Sequence, residues 1–188
     1  MKRIFCFLLL SACAFAQQTA MSQNPVTDTV RQLLTRQSHN LTAAADEMPA
    51  GKYSYKPTEA QMTFGKLVEH IIESNNFLCA KISGNAAPKD MVKDTDGKDK
   101  LMPALKESFE FCNSAMTKVK DADLDQPVEM WGGRKAPKAA AVIGLTNDWS
   151  DHYGAAAIYL RLNGMLPPTA QRQGGMEKGM GKKGMEKK

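Results

Sequence analysis

The stretch from Met62 to Gly84, MTFGKLVEHIIESNNFLCAKISG, decides the fold. Its apolar residues recur every three or four positions, which is the period of an amphipathic helix. They form one broad face, made of Phe64, Leu67, Val68, Ile71, Ile72, Leu78 and Ile82. Because Gly84 is a typical helix-ending residue, the stretch predicts a helix that ends at about Ser83 and buries one side in a core.

The same period predicts three more helices. They cover residues 24–47, 101–119 and 139–163. Between the helices lie polar stretches rich in helix breakers, at 52–61, 85–100 and 121–138. No segment alternates strongly between apolar and polar residues, so no sheet is predicted. The sequence therefore predicts an all-α protein, a four-helix bundle with uneven loops, one of them long.

The first sixteen residues have the composition of a secretory signal peptide. A basic start, residues 1–3, precedes the apolar stretch 4–16, which is shorter than the ~20 residues of a spanning helix. Two processing sites compete. Residues 14–16 fit ordinary signal peptidase, and residues 10–13 resemble a lipobox that would leave a lipidated Cys13. We favour the first, since few apolar residues precede the lipobox. We expect an exported protein, periplasmic or extracellular, with no membrane association unless Cys13 is lipidated.

The positive charge of the chain is concentrated at its C-terminal end. Residues 172–188, rich in Gly, Met and Lys, carry six basic and two acidic residues, and 17–171 is nearly neutral. The tail is predicted to be disordered, with Cu(I) capture by its methionine sulfurs as an alternative. The neutral domain, 17–171, offers no basic surface for nucleic acid.

Two cysteines, Cys79 and Cys112, remain after ordinary processing. They fall at comparable depths on the apolar faces of the second and third predicted helices. In an exported protein such a pair predicts a disulfide between these helices. Two buried free thiols are the alternative.

Three side chains have the spacing of a metal site. Asp148 and His152 lie one turn apart on the fourth helix, so they share a face, and His70 lies on the second helix. Two imidazoles and a carboxylate can hold a divalent ion and leave positions open. From spacing alone, a hydrogen-bonded core histidine is the more common interpretation of such a pattern. His39, on the first helix, has no acidic or cysteine partner nearby and is expected to be exposed. Glu69, which precedes His70, is expected to be a surface charge.

The motifs around these residues resemble the DinB-like (DinB/YfiT-type) family of metalloenzymes. They are TFGKLVEH at 63–70, Asp-x-x-x-His-Tyr-Gly at 148–154, and YLRLNG at 159–164 followed by Pro167 and Pro168. The resemblance covers residues 25–168. It implies a four-helix bundle with a long crossover connection, often a homodimer, in which His70 and His152 bind a divalent metal: Zn, Ni, Fe or Mn.

Two departures from the family pattern affect the expected chemistry. Asp148 stands where the family has a histidine, and Ala155 stands where a glutamine is common. The expected ligand set is therefore His70, Asp148 and His152. The resemblance implies a metal-dependent transferase or hydrolase acting on an unknown small molecule. Characterised relatives in the wider family include transferases and isomerases that use low-molecular-weight thiols. Because such thiols are chiefly cytosolic, export argues against a direct copy of that role. The alternative is a non-catalytic binding or stress-related bundle in which Asp148 marks a degenerate site.

Overall fold

Four long helices make up most of the structure, a computed structural model that describes residues 22–89 and 92–172. They are α1 (Pro25–Glu47), α2 (Phe64–Ser83), α3 (Lys98–Thr117) and α4 (Lys138–Leu162). Short 3-10 turns lie in the connections, at Ala50–Lys52, Asp121–Asp123 and Trp131–Gly133. The predicted all-α bundle is confirmed. The predicted signal peptide and all but Arg172 of the predicted tail lie outside the described residues.

The bounds of α2 follow from local chemistry. At the start, the Thr63 side chain accepts a hydrogen bond of 3.1 Å from the backbone N–H of Lys66, which satisfies one of the unpaired donors of the first turn. At the end, Gly84 adopts φ 75°, a left-handed conformation that glycine takes without a steric penalty. These caps fix the length of the helix that carries His70.

The helices run up, down, down and up. α2 and α3 are parallel, because Gly65 lies against Leu101 near their starts, and Cys79 is bonded to Cys112 near their ends. α4 runs antiparallel to α2, and α1 packs mainly on α3 and α4. The connection between α2 and α3 therefore has to travel back along the bundle, which is the long crossover that the family resemblance implied.

A disulfide and two buried side-chain hydrogen bonds connect α2 to its neighbours inside the core. The predicted bond between Cys79 and Cys112 is present, with Cα atoms 5.1 Å apart. One turn away, Asn75 donates to Ser108 of α3 at 2.9 Å and accepts from the Trp149 indole of α4 at 2.7 Å. Because these polar groups are fully buried, their pairing fixes the register of all three helices.

Two features of the connections differ from the sequence prediction. Residues Pro127–Glu129 (β1) and Lys135–Pro137 (β2) form an antiparallel hairpin, although no sheet was predicted. Strands of three residues that contain prolines are too short to show an alternating pattern. α3 begins at Lys98 rather than 101, because its first turn is polar and carries no apolar period. Among the described helices, none is both long and apolar enough to cross a membrane.

Candidate metal centre

The candidate metal centre lies between the antiparallel helices α2 and α4. His70 is near the middle of α2, and Asp148 and His152 are one turn apart on α4. The buried hydrogen bond from Trp149 to Asn75 sets the register of the two helices beside the site. That register brings all three side chains named by the sequence analysis to one place.

The three side chains are close enough to share a cation. One imidazole nitrogen from each histidine and one oxygen of Asp148 lie within 4.8 Å of one another. The Nε2 atom of His70 is 3.8 Å from Oδ1 of Asp148, and the imidazole rings stack at 4.7 Å with 29° between their planes. Ligands bound tetrahedrally at 2.0–2.1 Å lie about 3.4 Å apart, so small side-chain rotations would bring the three donors onto one ion.

The tautomer of the neutral His152 ring follows from its backbone contact. Nδ1 lies 2.7 Å from the carbonyl oxygen of Asp148. Because a carbonyl oxygen only accepts hydrogen bonds, Nδ1 is the donor and carries the proton. Nε2 is then left with a free lone pair. This backbone contact is the arrangement that orients metal-binding histidines in many proteins.

The Asp148 carboxylate is short of partners for a buried acid. Within residues 22–89 and 92–172, no group hydrogen-bonds its Oδ2 atom, although that atom is buried. Burial raises the pKa of Asp148, and the neighbouring His152 and His70, together with the Ser74 hydroxyl, oppose that shift. A buried carboxylate oxygen without a donor is costly unless a positive charge compensates it. The donor set and this orphaned oxygen therefore fit a divalent cation.

The site opens on the His70 side. The His70 side chain is 40% exposed, whereas those of Asp148 and His152 are 16% and 13% exposed. His70 also lines a cavity of about 430 Å³, whose walls do not include Asp148 or His152. A small molecule would therefore approach the three donors past His70.

For other residues near the site, some positions agree with the sequence-based expectations and others do not. His39 is exposed on α1, as expected. Glu69, interpreted as a surface charge, is instead buried and paired with Lys66 at 2.7 Å. Ser74, whose Oγ lies 3.4 Å from Nε2 of His70, was missed, although its position one turn after His70 could have indicated it. Trp131 also lines the cavity, and no sequence pattern places it there.

Comparison with known proteins assigns the family. The family model described as the DinB superfamily matches residues 33–154, which include all three side chains of the candidate centre. The chain therefore belongs to the DinB superfamily, as its motifs predicted.

Solved structures share the fold. A DinB-like protein from Bacillus cereus is 18% identical with a TM-score of 0.64, over 79% of this chain and 98% of the other. A DinB-like protein from Bacillus subtilis is 24% identical with a TM-score of 0.60, over 72% and 92%. The mycothiol-dependent maleylpyruvate isomerase is 13% identical with a TM-score of 0.56, over 68% and 59%. No curated protein matches the chain.

Proposed function

We propose that the protein binds one divalent cation through His70, Asp148 and His152 and uses it in a transferase or hydrolase reaction. The observation that carries this proposal is the convergence of three donors within 4.8 Å, one of them a carboxylate with a buried, unpaired oxygen. Three protein ligands leave coordination positions open, as a catalytic metal requires. The cation is proposed to be Zn, Ni, Fe or Mn, which all accept imidazole and carboxylate ligands.

The residues around the proposed metal centre have different roles. The backbone carbonyl of Asp148 orients the His152 ring, and the Asn75–Trp149 hydrogen bond holds the two helices in register. His70, on the open side, meets the substrate. A divalent cation at this position supplies a Lewis acid that makes a water or thiol more acidic near neutral pH. The shared fold of the mycothiol-dependent maleylpyruvate isomerase supports an enzymatic role.

We also propose that the protein is exported, with residues 1–16 removed, and that it forms a homodimer. The disulfide between Cys79 and Cys112 supports export, because such bonds persist in oxidising compartments. The mass of the secreted protein tests the first proposal: a chain that begins at Gln17, or at a lipidated Cys13, supports it, and one that retains Met1 contradicts it. Light scattering of the mature protein tests the second.

The metal content of the purified mature protein tests the central proposal. We expect one equivalent of metal in the wild type by elemental analysis, and much less in His70→Ala and His152→Ala. His39→Ala is the matched control, because it removes an exposed histidine from α1 and should leave the metal content unchanged. If the wild type binds no stoichiometric metal after dialysis against each of the four ions, the protein is instead a non-catalytic bundle with a degenerate site.

A further inference from the structure

We propose that the cavity beside His70 binds an aromatic ring of the substrate, while a polar head group of the same molecule reaches the three donors. The substrate class is thus a small arylated molecule with a metal-binding head. This inference rests on the proposed function, since it names the substrate of that centre.

The walls of the cavity come from three separate parts of the chain. Ile72 and Phe77 project from α2, Pro88 and Val92 belong to the crossover between α2 and α3, and Trp131 lies at the tip of the β1–β2 hairpin. A volume of about 430 Å³ lies within the range of small-molecule sites. Glu73 and Asn76 of α2 also line the cavity, but most of its wall is apolar, which favours a ring or a short hydrocarbon over an anionic group.

The aromatic character of the ligand follows from Phe77 and Trp131. Their rings stack at 4.3 Å with 21° between the planes, so the hairpin tip is held against α2. The Trp131 side chain nevertheless remains 59% exposed, and part of its surface faces the cavity. Aromatic walls favour aromatic ligands through offset and edge-to-face contacts, beyond the gain from buried area alone. A planar ring therefore fits this wall better than a polar group of the same size.

The polar end of the cavity points to a bifunctional ligand. His70 and Ser74 line the cavity and also belong to the candidate metal centre, where their side chains lie 3.4 Å apart. A ligand in the cavity therefore contacts the apolar wall and also lies beside His70, the one of the three metal donors that lines the cavity. One molecule can satisfy both ends only if it joins a ring to an oxygen, nitrogen or sulfur donor.

Two hydroxamates test the inference on the zinc-loaded protein. Benzohydroxamate and acetohydroxamate share a metal-binding head, but only the first carries a ring. We expect benzohydroxamate to bind at least about tenfold more tightly than acetohydroxamate. Calorimetry measures both affinities, which are corrected for the affinity of each compound for free zinc. Trp131→Ala should reduce this ratio several-fold and leave the affinities for zinc and acetohydroxamate unchanged. Trp131→Phe should retain most of the ratio. Leu166→Ala is the control, since Leu166 is exposed to a similar extent, at 62%, and is not among the residues that line the cavity.

A metal-free arm separates this inference from the proposed function. The uncharged ring compound 2-naphthol, titrated into the metal-free protein by ligand-observed NMR, should bind saturably in the wild type and much more weakly in Trp131→Ala. If zinc does not bind but 2-naphthol does, the metal proposal fails and the cavity assignment stands. If zinc binds but Trp131→Ala leaves the hydroxamate ratio unchanged, the cavity assignment is overturned and the metal proposal stands. Absence of saturable 2-naphthol binding to the wild type also overturns the cavity assignment.

Discussion

Asp148 distinguishes this chain from the ligand pattern that its family resemblance implies. A carboxylate is a harder ligand than an imidazole and brings a negative charge to the site. It also occupies a position where burial raises its pKa, so that its ionised form needs nearby positive charge. In the proposed site, this residue would therefore influence both how tightly a cation is held and which cation is preferred.

Substitution of Asp148 should change both the affinity of the site for zinc and its preference among metals. Asp148→Asn keeps the shape of the side chain but removes its charge, and we expect the affinity for zinc to fall by about 100-fold or more. Asp148→His supplies a third imidazole and should raise the preference for zinc over manganese, because imidazole suits zinc better than it suits manganese. Chelator competition with each metal measures both effects. Wild-type affinity in Asp148→Asn would show that the carboxylate is not a ligand.

At the scale of single elements, the start of α1 depends on a distant residue. Asp121, in the connection after α3, accepts hydrogen bonds from the backbone N–H groups of Val26 and Thr27, at 2.9 and 2.8 Å. These donors belong to the first turn of α1, where no residue of the helix itself can satisfy them. Desolvation opposes the ionised form of Asp121, but the two backbone donors, the Thr27 hydroxyl and the charge of Arg31 together outweigh it and lower the pKa of the carboxyl.

This contact predicts a pH-dependent change in stability. Asp121→Asn removes the charge and one acceptor, so we expect the melting temperature to fall by about 2–4 °C near neutral pH. Because the folded pKa is lowered, the contribution of Asp121 is complete above its ordinary pKa and is lost as the pH falls through the lower folded value. The two melting temperatures should therefore converge in strong acid. Asp125→Asn, at an exposed acid of the same connection, is the control; a difference that persists at low pH would contradict the assignment.

The sequence predicts elements better when their signal is local. The caps of α2 are encoded by Thr63 and Gly84 themselves, so its bounds were close to the prediction. The spacing of Asp148 and His152 is also local, but their meeting with His70 depends on how α2 and α4 cross, which the family resemblance supplied. The stacking of Trp131 on Phe77 was not predictable, because it depends on where the hairpin lies relative to α2. Glu69 was misassigned because a charged residue is expected at the surface by default, whereas this one is buried and paired with Lys66.

For the molecule as a whole, the disulfide is the strongest single constraint on the unfolded chain. Cys79 and Cys112 are 33 positions apart. An unstrained disulfide that closes a loop of that size raises the free energy of unfolding of the protein by ~3–4 kcal/mol. We therefore expect the double variant Cys79→Ala, Cys112→Ala to lose about that much free energy of unfolding in urea titrations. The reduced wild type should unfold at the same urea concentration as the variant. An unfolding midpoint that is insensitive to reductant would contradict this prediction.

The order in which the helices pair has a consequence for synthesis. α1 is made first, but it packs mainly on α3 and α4, and α4 ends only at Leu162. A nascent chain that has emerged as far as α2 thus lacks the native partners of its first helix, and the bundle closes only when nearly all of it is available. We therefore expect such a polypeptide to remain unfolded on the ribosome, a state that would be compatible with the export proposed above.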